Sequence, residues 1–220
     1  MRVLAIDTTS PRGSVAVAGP EGVLAEARLV TTDGHSRWLL PAVEALLVGL
    51  GLRASALDVF AVTTGPGSFT GLRVGLGTVQ GLSLASGRPC VGLSTLDVLA
   101  GASAGSDGPV VALVDAFRGE VYSGVYDAGL RLCRPYGVSA LASVLEGLPP
   151  GTAFVGEPAV SDRETIRALV PGAVFPDPVE FLAAPLALAA LRLAASGATM
   201  PASGLRPLYL RGVDARPSPV

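Results

Sequence analysis

Two short stretches carry side chains that could do chemistry. The first is Asp7-Thr8-Thr9-Ser10, which closes an apolar run at 3–6. A carboxylate there can hold a hydrated Mg²⁺, while hydroxyls and turn amides face phosphate oxygens. The same residues also read as a turn bonded to its own backbone, the commoner use of such side chains. The second stretch is GPGSFTGLRVG, residues 65–75, which follows an apolar run at 59–62. Its four glycines and one proline bring the backbone close to something: a phosphate, a second helix, or the chain's own sheet. Further on, Asp115-Ala116-Phe117-Arg118-Gly119 echoes residues 7–13 as strand end, acid, turn and strand.

Composition excludes several other chemistries. All 16 basic residues are arginine, so no lysine chemistry is available, and the glycine-rich loop lacks the Gly-Lys-Ser/Thr ending of a P-loop. Free amides at a helix start, 68–70, are still a candidate anion site. His35 is the single histidine. With Asp33 it falls short of a transition-metal ligand set, so no metal site is assigned. A single histidine would have to serve any Ser-His-Asp triad, and none is supported. Cys90 and Cys133 lack partners at metal spacing and are expected to be reduced, buried thiols. A net charge of −2 argues against binding nucleic acid through overall charge. The longest apolar run, 181–191, includes Pro185 and is too short for a bilayer span, which needs roughly 20 residues. A strand-like segment starts directly after Met1-Arg2, so no leader is expected and a cytoplasmic location is.

The elements that must position these residues are legible in outline. Segments at 3–6, 14–18 and 23–30 read as a three-stranded meander. Over 35–50, Leu39, Leu40, Val43, Leu46, Leu47 and Leu50 have helical spacing, with Asp33 or Ser36 as candidate caps and Pro41 setting or distorting the first turn. A buried strand at 57–62 precedes the glycine-rich loop and a helix over 68–86. A strand at 90–93 and a helix from Ser94 or Thr95 to 102 follow, then a linker at 104–109. The second half gives strands at 109–114, 120–126 and 153–155, and helices at 139–146, 160–169 and 179–195. Two meander-plus-helix halves predict an α/β protein of two lobes, 1–104 and 105–220, with the C-terminal end returning to the first lobe and a cleft between them.

Glycine spacing bears on the long helix. Gly67, Gly71 and Gly75 lie four apart, as do Gly77 and Gly81. Each glycine inside a helix costs about 1 kcal/mol against alanine, so the repeat predicts close packing on a neighbour. That neighbour is either inside the fold or in another subunit.

Leu4-Ala5-Ile6-Asp7-Thr8-Thr9-Ser10, Ser14-Val15-Ala16-Val17, His35-Ser36 with Leu39-Leu40-Pro41, GPGSFTGLRVG and Pro207-Leu208-Tyr209-Leu210-Arg211 together resemble the TsaB (YeaZ) family. The motifs stand in family order and span the chain. One departure is Gly156-Glu157-Pro158-Ala159, where relatives often carry Gly-Asp-Gly-Ala.

The resemblance implies the actin-like ATPase fold shared by acetate kinase, sugar kinases and heat-shock proteins. It implies a non-catalytic platform subunit in making threonylcarbamoyladenosine in tRNA, with no catalytic residue of its own. The partners implied are a catalytic TsaD-like paralogue and a TsaE-like ATPase, with tRNA reached only through the complex. The implied partner surface is a helical bundle using Ser36, Leu39, Leu40, Val43, Phe69, Gly71, Leu72, Arg73, Gly75 and Leu76. It sharpens the neighbour of the glycine-rich helix to a helix on another subunit. Alone, the same face predicts a homodimer. No cofactor is certain; ATP or ADP with Mg²⁺ at the interface of the complex is left open, with Asp7, Thr8, Thr9, Ser10 and Asp115 as the candidate phosphate residues. The competing reading is a small-molecule kinase or ATPase of the same fold.

Overall fold

The computed structural model describes residues 1–103 and 108–211. Strands β1 (Val3–Asp7), β2 (Arg12–Gly19) and β3 (Gly22–Val30) form an antiparallel meander. Strands β4 (Val59–Thr63) and β5 (Cys90–Leu93) join in parallel, giving the order β3-β2-β1-β4-β5. The second sheet repeats the plan. Its meander is β6 (Val110–Asp115), β7 (Glu120–Tyr126) and β8 (Leu132–Ala140), and β9 (Ala153–Val155) lies parallel to β6 on its other edge.

Strand alternation sorts the first sheet's side chains by size. Leu4, Ile6, Val15, Val17, Phe60 and Val62 point to one face, under α1 (Leu39–Gly49) and α2 (Phe69–Ser86). The opposite face presents Ala5, Ala16, Ala18 and Ala61 to α7 (Ala183–Ala195), whose Ala183, Ala187 and Ala190 are fully buried. Small residues on both surfaces let that helix lie close to the sheet. Helix α3 (Thr95–Ala102) packs on α7 and on β6 and β7, so the two helices fill the space between the sheets. Asp97 on α3 accepts hydrogen bonds from the Tyr126 and Tyr136 hydroxyls at 2.9 and 2.6 Å. Burial, with the adjacent carboxylate, pushes both phenols up, Tyr136 to about 12.

Several boundaries differ from the sequence reading, each for a local reason. Helix α1 begins at Leu39, so Pro41 falls in the first turn, where a missing N–H leaves no intrahelical bond unmade. Neither Asp33 nor Ser36 caps it. Ser68 and Ser94 do cap α2 and α3, accepting from Gly71 N and Leu96 N. Strand β8 was not foreseen: Pro135 and Gly137 hide it, and both are tolerated because β8 is an edge strand. It displaces the helix read over 139–146, leaving the short α4 (Leu141–Leu145). The helix read at 160–169 is two, α5 (Glu157–Ser161) and α6 (Arg163–Leu169). Cys90 is buried, but Cys133 is exposed on β8; both are free.

The boundary expected at 104/105 lies outside the described residues. The chain returns to the first sheet already at α7, where Ala183 N donates to Ser14 Oγ at 3.0 Å and Ala184 N to Glu26 Oε1 at 3.3 Å. Among the described residues no helix is long and apolar enough to cross a membrane.

The close seating of α7 makes a direct prediction. Ala187→Leu overpacks this contact and is expected to cost about 1–3 kcal/mol. Urea unfolding would show a lower midpoint at unchanged slope.

Candidate functional site

The loop after β1 and the start of α2 are pressed together. Ser68 N donates to Thr9 O at 2.7 Å, and Thr8 Oγ1 donates to Gly71 O at 2.8 Å. A Cβ at Gly67 would overlap the Thr9 carbonyl oxygen, and one at Gly71 the Thr8 carbonyl oxygen. A Cβ at Gly75 would sit 2.5 Å from Thr8 Oγ1. The three glycines therefore serve contact with the chain's own loop. This corrects the expectation that their close neighbour is a helix on another subunit.

Asp7 is sealed inside this contact. It is 1% exposed, and its Oδ1 accepts from Thr63 Oγ1 at 2.6 Å, Thr9 Oγ1 at 2.8 Å and Thr9 N at 3.3 Å. Burial raises its pKa; the hydroxyl and amide donors, and nearby His35, pull the other way without cancelling it. Thr8 and Thr9 are buried too, and Ser10 bonds back to Arg12. Asp115 lies apart in the second sheet, exposed, accepting from Phe117 N at 2.8 Å in its own turn. It shares no hydrogen-bond partner with Asp7. These residues do not fit a Mg²⁺-nucleotide at the β1 loop, because the carboxylate is buried and glycine backbone covers the loop carbonyls. No group of three or more metal-ligating side chains occurs among the described residues.

His35 acts locally. Trp38 Nε1 donates to its Nδ1 at 2.9 Å, so the ring proton sits on Nε2, which faces Ser10 O at 2.8 Å. Gly13 makes room for both rings: a Cβ there would lie 2.5 Å from Trp38 and 2.6 Å from His35. The histidine thus fixes the approach to α1 against the β1–β2 loop.

The outward face of α1 and α2 is different in kind. A groove of about 480 Å³ runs between the two helices, lined by Ser36, Leu39, Leu40, Val74, Gly77, Thr78, Gly81 and Leu82. Gly77 and Gly81 meet nothing within contact distance. Leu40 in its lining is exposed, as are Val48 on α1 and Phe69 and Leu84 on α2. Of the residues assigned to a partner surface, Ser36, Leu40, Phe69 and Arg73 face outward. Leu39, Val43, Gly71, Leu72, Gly75 and Leu76 are buried in the chain's own core and cannot form the exposed part of that surface. Arg73 stacks over Phe69 at 3.8 Å, and its Nε donates to Tyr209 Oη at 3.3 Å.

Missing from the sequence reading were Val48 and Leu84, the outward direction of Gly77 and Gly81, and the contacts of Tyr209, which was named there only within a motif. A signal for the glycines existed. Gly75 and Gly77 are two residues apart, about 200° of helical rotation, so one row had to face away from the other.

Comparison with known proteins places this architecture. A family model described as TsaD, tRNA N6-adenosine threonylcarbamoyltransferase, matches residues 20–195. An uncharacterised protein of Mycobacterium tuberculosis is 34% identical over 98% of this chain and 94% of its own length. The tRNA threonylcarbamoyladenosine biosynthesis protein TsaB of Escherichia coli is 39% identical over 128 residues, 57% of this chain and 55% of that protein. The structure of YeaZ from Pseudomonas aeruginosa matches at a TM-score of 0.78 with 30% identity, over 94% of this chain and 100% of that one. A polyphosphate/ATP-glucomannokinase from Arthrobacter, at a TM-score of 0.51 and 15% identity over 89% of this chain and 99% of that one, shares the fold alone.

The chain is thus a two-lobed α/β protein of the actin-like ATPase fold. It belongs to the TsaB (YeaZ) family, whose named members act in tRNA threonylcarbamoyladenosine biosynthesis.

The sealed Asp7 gives a test by pH. Because its folded pKa is raised, its stabilising contribution is complete below the ordinary carboxylate range and is lost as pH rises through the folded value. Asp7→Asn cannot ionise, so its stability relative to the native chain should climb over that rise. Thermal unfolding of both proteins from acid to neutral pH measures it; parallel profiles would refute burial as the dominant influence.

Proposed function

We propose that this chain is a non-catalytic platform subunit in the synthesis of threonylcarbamoyladenosine in tRNA. It docks a catalytic TsaD-like paralogue on the outward face of α1 and α2, in a cytoplasmic assembly that a TsaE-like ATPase joins. Alone, the chain pairs with a second copy through the same face.

The observation that carries this reading is the outward glycine row. Gly77 and Gly81 each cost about 1 kcal/mol in helix stability, and no contact in their own chain offsets it. The groove they line also carries exposed Leu40, and the same two helices expose Val48 and Leu84. A helix from another chain can approach closely only where side chains are missing. The face also carries exposed Glu44 on α1 and Arg73 on α2, a pair of opposite charges suited to a self-complementary contact. The non-catalytic part of the reading is supported by Asp7, whose donors and burial leave it unsuited to hold a metal-bound phosphate.

Reconstituted tRNA modification tests the whole reading. Omitting this chain should abolish activity, and Asp7→Asn should support it. An Asp7→Asn protein that folds but fails would favour the kinase or ATPase reading, as would turnover of ATP with Mg²⁺ by the isolated chain.

Docking makes its own prediction. Gly77→Leu should raise thermal stability, by up to about 1 kcal/mol, because it replaces an open helical glycine. The same change should weaken both self-association and paralogue binding at least about tenfold, through overpacking at the helix contact. Light scattering and calorimetry read the two effects; a more stable variant that still binds fully would place the interface elsewhere.

A further inference from the structure

We propose that residues 205–211 form a latch holding the two lobes together, and that its closure completes the docking face of α2. For its partner the inference rests on the docking reading above. The segment leaves a 3-10 turn at Ala202–Gly204, with Leu205 buried. Gln80 on α2 donates to the Ala202 and Leu205 carbonyls at 3.4 and 3.3 Å. Leu208 N then donates to Thr64 O at 2.7 Å, just past the end of β4. Gly65, at a φ of 104°, lets the strap pass; a Cβ there would stand 3.1 Å from the Leu208 carbonyl oxygen. Tyr209 lies on Phe69, ring centroids 5.5 Å apart, and takes the hydrogen bond from Arg73. All of these pins are in the first lobe.

Two residues on, Arg211 forms an ion pair with Glu120, the first residue of β7 in the second lobe. The segment therefore bridges the lobes. Beneath it lies a cavity of about 210 Å³ with walls from both: Pro66, Gly67 and Leu72 on one side, Tyr122 on the other, and Leu208 and Leu210 of the strap.

The link to docking lies in the helical row. Phe69, Arg73, Gly77 and Gly81 are spaced i, i+4 and all face outward. A partner seated over Gly77 and Gly81 continues along that row onto Arg73 and Phe69, and from there onto Tyr209. Covering the cluster excludes water and strengthens the Arg73–Tyr209 bond. A released strap withdraws Tyr209 from the face. Partner binding and latch closure therefore favour one another, and the coupling is reciprocal.

The experiment uses Glu120→Arg, Arg211→Glu and the double exchange, with altered residues that lie off α1 and α2. Hydrogen exchange at the Leu208 amide is read in the dilute isolated chain, and affinity is read with the TsaD-like paralogue. Each single change should speed exchange about 3- to 10-fold and weaken affinity by a similar factor, and the double exchange should restore both. Unchanged exchange in both single variants overturns the latch. Faster exchange with unchanged affinity overturns the coupling. If the native chain does not bind the paralogue, the docking reading fails and the coupling with it, while the exchange rates still decide the latch.

Discussion

The seating of α2 on the loop after β1 is the contact on which the rest of the structure depends. At Gly67, Gly71 and Gly75 the helix and its lead-in lie so near Thr8 and Thr9 that a side chain has no room. That contact fixes how α2 is rotated. Once the row through Gly71 and Gly75 faces inward, the row through Gly77 and Gly81 must face out. It also seals Asp7, because the loop carrying the carboxylate lies under the helix start. One packing decision thus covers the loop after β1 and leaves open the row that the docking proposal uses.

The first sheet supports that decision by giving each face a separate task. Its large residues fill the space under α1 and α2 and hold those helices to the sheet. Its alanines accept α7, and α7 with α3 fills the space between the sheets. Asp97, clasped by two tyrosine hydroxyls, fixes α3 to the second sheet. A buried apolar seam of this kind resists the lobe movement on which ligand closure in a cleft depends.

Much of this was legible in the residues. Val15 and Val17 alternate in β2, Ser68 and Ser94 stand at helix starts, and the Asp7 and Asp115 echo marks two sheets built alike. What was not legible follows from three-dimensional context. Periodicity separated Leu39 and Val43 from polar residues but could not say whether the apolar side of α1 meets its own sheet or a partner; both choices present the same spacing. Strand β8 was hidden because an edge strand tolerates Pro135 and Gly137, residues that argue against a strand anywhere else. The glycine repeat was read as one feature, when its two rows differ by half a turn of helix. Tyr209 stood out only within a motif, since its meaning comes from Phe69 and Arg73, remote in sequence and adjacent in space.

The physical character of the site argues for what the fold has become here. A kinase needs an accessible carboxylate and lobes that close on substrate. This chain has a carboxylate held by threonine hydroxyls and lobes joined by α3, α7 and an ion pair across the strap. A docking platform benefits from the same rigidity, because a surface already in its bound form loses little conformational freedom on association. The helix glycines supply the approach, the exposed leucines and valine supply apolar area, and Arg73 with Phe69 and Tyr209 forms an aromatic–arginine cluster of the kind that dominates binding energy at interfaces. That cluster stands where the outward row of α2 meets the strap, so in the docking proposal the group that grips a partner is also the one tied to the contact between the lobes.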